Sequence, residues 1–517
     1  MSRTVTEIAN RRRLRLNLLW EAILVGVLVG AVVTVYRLGI QIISDWISGY
    51  LGIATQSIYY KIIFIGIMLA FGVLAGLCYR LSPLISGSGI PQVAAQLSGH
   101  LRPKWQSVLP FKFIGGLLTL GGGLTLGREG PSVQIGASIG QGCSDLLKRP
   151  ISERRYMIIG GASAGLAAAF NAPIAGAIFA LEELHHHFSP RALISAMTAS
   201  FSANFVAGLV MSDNPVLHFE HVPPLPLSQY LTVVLIGVIT GLSGVLFNRC
   251  ILLGKKIYRR LNLHWVLTGV VPFLIVAVCC LLLPDLLGSG EHLIFLPVEA
   301  GSTFGYLLLL FVVKLILLVV CFCSGLPGGI FFPMLVLGSL CGHGIGIVLA
   351  NAGLIDTSYI LTLSLMAMAG HFASIVRAPV TGLLLVSEMT GSFANMLPLG
   401  IVSLVAYLVA ELCKSEPIYI SLEKQLPLTS KPEQLFDVDE RMLMEFAIEN
   451  NSMADGQTVA SIRWPDNFML VAVRRSGKEL TPTGSLKLQA GDYIIGLFVR
   501  SDMAHVIKTL NQFTCTQ

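Results

Sequence analysis

Five stretches of this chain, Leu18–Ile40, Ile62–Leu77, Thr232–Leu253, Val266–Leu283 and Tyr306–Val320, are long and almost wholly apolar. Each approaches the roughly 20 residues a helix needs to cross the hydrocarbon of a bilayer. Inside lipid every backbone N–H and C=O must find a partner within the chain, so only helices and closed barrels span it. Barrel strands would alternate in segments of about ten residues; these runs do not, and they read as helices. Composition agrees: 54% of the 517 residues are hydrophobic and 12% charged, about half the charged share of an ordinary soluble domain. The fold class expected is an all-α polytopic membrane protein.

Arg11, Arg12, Arg13 and Arg15 crowd ahead of the first run, which by the positive-inside rule keeps residues 1–17 in the cytoplasm. That first run is too long, and lacks the small-residue cleavage site, for a removable signal peptide. Juxtamembrane arginines need no nucleic acid to explain them, and none is expected as a partner. The ten cysteines are scattered through apolar runs without C-x-x-C spacing and read as inert buried thiols. His185, His186 and His187 are consecutive and would point in different directions on a helix, so a helix end is the better reading than a metal site.

Composition changes near Leu422. Residues 18–422 form the membrane part; residues 423–517 are polar enough to form a small cytosolic α+β domain, with a helical pattern over Asp439–Glu449 and strands at FMLVAVRR from Phe468 and DYIIGLFV from Asp492. The membrane part repeats itself. FNAPIAGAIFALE from Phe170 and VRAPVTGLLLVSE from Val376 superimpose Ala172, Pro173, Gly176 and Glu182 on Ala378, Pro379, Gly382 and Glu388. Two halves, about 18–225 and 226–422, with Gly/Pro-interrupted segments in corresponding places, point to a transporter with its site at the repeat interface. Val133–Leu147 and Met334–Leu349 look short or broken, so tilted and re-entrant helices are expected.

Three glycine- and proline-rich elbows begin helices inside apolar surroundings: GSGIPQ from Gly87, GREGPS from Gly127 and GGIFFP from Gly328. Proline fits the first turn of a helix and glycine lets the preceding backbone bend. Such ends expose unpaired N–H groups and carry about half a positive charge, so several converging on one point bind an anion without a full cation. Ser88 adds a hydroxyl donor, Ile330 and Phe331 add amides, and Glu129 places a costly carboxylate beside them, which marks it as functional. Close helix packing by small residues would account for one elbow, not for three.

GSGIP, GREGP and GGIFFP, in this order, resemble the signature stretches of the ClC chloride channel and transporter family. The resemblance implies two inverted-topology repeats of tilted, broken helices, a homodimer with one anion pathway per subunit, and chloride as a bound substrate ion with no cofactor. It implies Ser88, Ile330, Phe331 and Tyr419 as chloride ligands, Glu129 as the external gate and Glu183 as the internal proton-transfer glutamate. Serine at 88, where proline would suit nitrate, resembles chloride-preferring members, and the pattern departs from that of fluoride exporters.

A carboxylate beside an anion site can take the anion's place when ionised and leave it when protonated, which links anion to proton movement. The family divides into exchangers, which carry a glutamate at the internal position, and passive voltage- or ligand-gated channels, which commonly carry valine. Glu183 therefore favours proton/chloride antiport, with the channel as the alternative; Glu182, its neighbour, reads as structural. An intramembrane hydrolase pairing Ser88 with His371 would leave the other two elbows unexplained, so no enzyme is expected. The tail from Val459 resembles the TrkA-C type of domain, which implies either a cytosolic small-molecule ligand or a dimer-stabilising appendage. Together the two resemblances suggest a multi-pass protein of the bacterial inner membrane with both termini cytoplasmic.

Overall fold

The computed structural model describes residues 3–427 and 441–514, apart from 187, 212–214, 218, 220–221, 296–302, 451, 466–467, 477 and 500–502, with side chains from Leu16 onward except those of 151–152, 441–442, 499, 503–505, 508 and 511. The chain divides into two compact units, 1–433 and 434–517. The arginines expected to fix the first helix's orientation precede the described side chains, and His187 lies outside the described residues.

The first half of the membrane unit runs α1 (Arg3–Ala54), α2 (Ile58–Leu81), α3 (Ile90–Leu97), α4 (Trp105–Gly116), α5 (Glu129–Leu146), α6 (Ile151–Phe170), α7 (Pro173–Phe179) and α8 (Pro190–Gly208). The second runs α9 (Tyr230–Leu261), α10 (Trp265–Leu282), α11 (Phe304–Cys323), α12 (Phe331–Asn351), α13 (Ile360–Val376), α14 (Pro379–Thr390), α15 (Met396–Leu412) and α16 (Ile418–Glu423). Among the described residues seven helices are long and apolar enough to cross a membrane. Two exceed the five runs read from sequence: Phe331–Asn351 and Thr357–Val376 are the most buried of the seven. Glycine and serine dilute their hydropathy because they face protein on all sides, so length survives where the apolar signal fades. Met334–Leu349 is thus one unbroken helix, not a broken one.

The repeat is visible in local geometry. α6 and α13 end at Asn171 and Arg377, both with left-handed φ of 55° and 74°, and each is followed by the Ala-Pro that opens the next helix. Glu182, from the first copy, accepts hydrogen bonds from Thr381 N (2.8 Å) and Thr381 Oγ1 (2.7 Å) at the start of α14. Glu388, its repeat mate, accepts from Ile174 N (3.0 Å) and Ala175 N (2.7 Å) at the start of α7. Each carboxylate caps the other copy's helix, satisfying donors that a helix end leaves orphaned. That reciprocity is the mark of a two-fold axis between the halves.

In the second unit the sheet order is β1-β4-β2-β3, with β1 Arg441–Ala447, β2 Phe468–Arg475, β3 Lys478–Leu480 and β4 Tyr493–Val499. The two strands read from sequence are β2 and β4, but the helix expected over Asp439–Glu449 is β1, paired antiparallel with β4 from Arg441↔Val499 to Ala447↔Tyr493. Burial there has a period of two: Phe446 and Ile448 are buried while Leu443, Glu445 and Ala447 are exposed. Leu, Met and Glu favour helices locally; the open edge of β4 overrides them. Helix α17 (Met503–Thr514) covers one face through Val506 and Leu510, packed with Phe446, Val473, Ile494 and Phe498.

Asp492 anchors this unit. It is 1% exposed, receives Arg475 Nε and Nη2 at 2.7 Å each, and accepts from Gln489 N at 2.9 Å. Burial pushes its carboxyl up, but these donors outweigh it and hold it below the ordinary 3.8. A depressed folded-state value means the stabilisation is complete above pH 3.8 and is lost as pH falls through the folded value. Arg475→Met, which strands the buried carboxylate, is expected to destabilise the unit by roughly 2 to 3 kcal/mol, less than a fully buried pair because Arg475 is 30% exposed. The midpoint of the unit's unfolding transition at pH 7 measures it; an unchanged midpoint would show that the pair is not holding the sheet.

Candidate functional site

The three elbows begin helices as the sequence predicts: α3 after Gly89, α5 after Arg128 and α12 after Ile330. What the sequence does not reveal is that the backbone laces them together. Gly127 and Gly329 exchange both N–H···O bonds, at 2.7 and 2.8 Å, while Gly328 N donates to Gly87 O at 3.0 Å and Gly87 N to Leu326 O at 3.2 Å. The third elbow is thereby clamped between the other two. Thr119 Oγ1 adds a bond to Pro327 O at 2.5 Å.

Only glycine permits this approach. A Cβ on Gly130 would lie 2.7 Å from Ser88 Cβ, so the first turn of α5 rests on Ser88. A Cβ on Gly127 would collide with Glu129 Oε2 and stand 3.0 Å from Phe332 N, so the Glu129 carboxylate folds back beside the amides that open α12. Ser88 and Glu129 are 2% and 1% exposed, and Ile330 and Phe331 are fully buried. The Phe331 ring packs against Phe170, Phe179 and Phe372, which locks the elbow and keeps it dry.

Tyr419, on α16, is 2% exposed and its hydroxyl has no hydrogen-bond partner. Glu183 and Glu129 both lie within electrostatic reach of that hydroxyl. Glu183 is 5% exposed on a wide turn, Ala180–His185, that continues α7 and packs against α3. Such wide turns re-aim a side chain and concentrate at functional sites. Glu182, one residue earlier, is the cap of α14 described above. The structure therefore separates the adjacent acids.

Two cavities approach this cluster from opposite ends of the α1–α2 hairpin. One, of about 810 Å³, is lined by Arg37, Asp45, Arg128, Glu129 and Phe332; the other, of about 450 Å³, by Tyr79, Gly87, Ser88, Lys255 and Leu422. Asp45 sits near the hairpin turn and Tyr79 at the far end of α2. Glu129 thus stands on one side of the elbows and Ser88 on the other.

A full cation stands behind the elbows, committed to backbone carbonyls. Lys112, wholly buried on α4, donates to Ile85 O at 2.8 Å and Gly87 O at 2.7 Å. It grips the loop that carries Ser88 from behind, facing carbonyls. Its signal in the sequence was a lone lysine in an apolar segment, the same cue that singled out Glu129. His185, within the histidine run, hydrogen-bonds Arg155 at 2.8 Å, and among the described residues no cluster has the makings of a metal site.

Residues 71–411 match the voltage gated chloride channel family and residues 443–511 the TrkA-C domain. The chain is 36% identical over 435 residues to the H(+)/Cl(-) exchange transporter ClcA of Vibrio cholerae, covering 81% of this chain and 91% of that protein. It is 34% identical over 443 residues to the protein of the same name in Cronobacter sakazakii, with the same coverage. Among solved structures, a slow cyanobacterial Cl−/H+ antiporter superimposes with a TM-score of 0.75 at 30% identity, over 79% of this chain and 97% of that one. A fluoride/proton antiporter of CLC type follows at 0.65 and 26%, over 78% and 96%.

Proposed function

This chain belongs to the voltage gated chloride channel family, and from that premise we propose that it exchanges chloride for protons across the membrane it spans. The curated relatives and the cyanobacterial structure named above are exchangers, which supports antiport over passive conduction. The observation that carries the reading is the buried Glu129 carboxylate held beside the α12 amides, where an anion would receive the same donors.

Chloride in this scheme is held by the Ser88 and Tyr419 hydroxyls and by the amides of Ile330 and Phe331. Ionised Glu129 takes the outermost position of that path and yields it on protonation, because a site built from helix ends stabilises either negative charge. Occupancy by the ion and protonation of the gate are then linked. With the amino terminus cytoplasmic, the cavity bearing Glu129 opens outside and the one bearing Ser88 opens inside, so Glu129 cannot collect cytoplasmic protons itself. Glu183, buried near Tyr419 yet off the anion path, supplies the second station. We further assign the chain to a bacterial inner membrane as a homodimer, with residues 423–517 a cytosolic module that takes a small-molecule ligand.

Reconstituted in liposomes, the protein is expected to drive protons uphill when a chloride gradient is imposed, in the direction opposite to chloride. Chloride flux with no proton movement would instead assign the passive channel.

A further inference from the structure

The loop that carries Ser88 has a twin. Gly288-Ser289-Gly290 repeats Gly87-Ser88-Gly89, with φ of 68° and 89° against 62° and 88° at the flanking glycines. Each loop follows a one-turn helix that begins with proline, Pro83–Ile85 or Pro284–Leu286. Each is gripped by a buried lysine from the helix leading into the next elbow. Lys314, 1% exposed on α11, donates to Leu286 O and Gly288 O at 2.7 Å each, as Lys112 does to Ile85 O and Gly87 O. The two-fold axis that relates the halves has copied the whole device.

The copies face different cavities. Ser88 lines the smaller one; Ser289, with both flanking glycines, lines the larger, beside Arg37 and Arg128. Arg37 is 8% exposed, spends Nη1 on Ala168 O at 2.6 Å, and has an Nε with no partner. Arg128 Nε is also without a hydrogen bond, and among the described residues its acidic partners are loose: Glu129 Oε1 and Glu291 Oε2, each at 3.8 Å. Two guanidinium groups with spare donors therefore surround a duplicate of the loop that carries Ser88.

We propose that Ser289, Arg37 and Arg128 form an outer docking site for a small monovalent anion of the halide class, the mouth-side counterpart of the Ser88 loop, from which the ion passes to the position Glu129 holds. Asp45 and Glu291 offset the two arginines, and Glu129 adds a third carboxyl to the same cavity, so the ion is held weakly, as transit requires. Glu291 competes with the ion for Arg128. The proposal rests on the anion-transport reading but not on proton coupling or on Glu183.

Two measurements on the full chain test it. In crystals soaked in bromide, anomalous scattering should show a peak within contact of Ser289, Arg37 and Arg128; a peak at Ser88 and Tyr419 with none at Ser289 overturns the proposal. In oriented vesicles, Ser289→Ala should raise the chloride concentration for half-maximal flux about fivefold on the face where this cavity opens, and leave the other face unchanged. Glu291→Gln should lower it on that same face. No shift in either variant, or equal shifts on both faces, would overturn the site. Absence of chloride flux in the unmodified protein would sink the transport reading, whereas the bromide peak decides the docking site independently.

Discussion

Glu183→Gln is expected to abolish proton movement while leaving chloride exchange at its normal order of magnitude. The amide has the shape of the carboxyl and can be held by the same turn, so the packing of Ala180–His185 against α3 is preserved. What it lacks is a proton to give up, and the pathway to Glu129 then has no inner station. In the proposed scheme chloride passes by Ser88 and Tyr419 and does not need one. The measurement is uphill proton uptake under a chloride gradient in liposomes, read beside chloride efflux from the same vesicles. Glu182→Gln is the control: its loss weakens the charged cap that holds Thr381 N and Oγ1, so it lowers thermal stability without separating the two ions. Proton uptake that persists in Glu183→Gln, or is lost equally in both variants, would remove Glu183 from the mechanism.

Much of this site was legible because charge inside an apolar chain is expensive and therefore conspicuous. Glu129 and the three elbows announce themselves by that rule and by the grammar of helix starts. The lacing of the elbows was not legible, since Gly127 pairs with Gly329 and Gly87 with Leu326 across most of the membrane unit, and no local pattern encodes such a partner. Lys112 and Lys314 carried the same conspicuous signal as Glu129 but went unread, and with them the second Gly-Ser-Gly loop. The repeat was detected through Glu182 and Glu388, yet their exchange of caps required the two-fold axis itself. In the second unit β1 misled for the opposite reason: its residues favour a helix, and only a neighbouring strand edge makes them a strand.

The scaffold prediction with the largest effect concerns the crossing of α5 and α6. A Cβ on Gly161 would collide with the Gly136 carbonyl oxygen, at 2.9 Å from its carbon and 3.3 Å from Gly140 Cα, and one on Gly136 would strike Gly161 in return. Gly165 stands in the same relation to Ser132, and Gly140 to Met157. The two backbones touch along a ladder of glycines, the close approach that small residues provide where lipid offers no hydrophobic drive for packing. Because α5 opens with Glu129 and Gly130, and Gly130 rests on Ser88, any parting of this crossing moves Glu129 off its elbow. Gly161→Ala is expected to cost about 1 to 3 kcal/mol, the usual range for overpacking, and to weaken chloride binding at the centre. Gly161→Leu should exceed that range and prevent recovery of folded protein. Gly66 on α2, where a Cβ meets nothing within 4 Å, is the comparison: alanine there should be neutral or stabilising by up to about 1 kcal/mol through helix propensity. Thermal unfolding in detergent and bromide affinity, measured on the three variants together, decide the matter. Equal stability of Gly161→Leu and the Gly66 variant would mean that the glycine ladder does not set the position of Glu129.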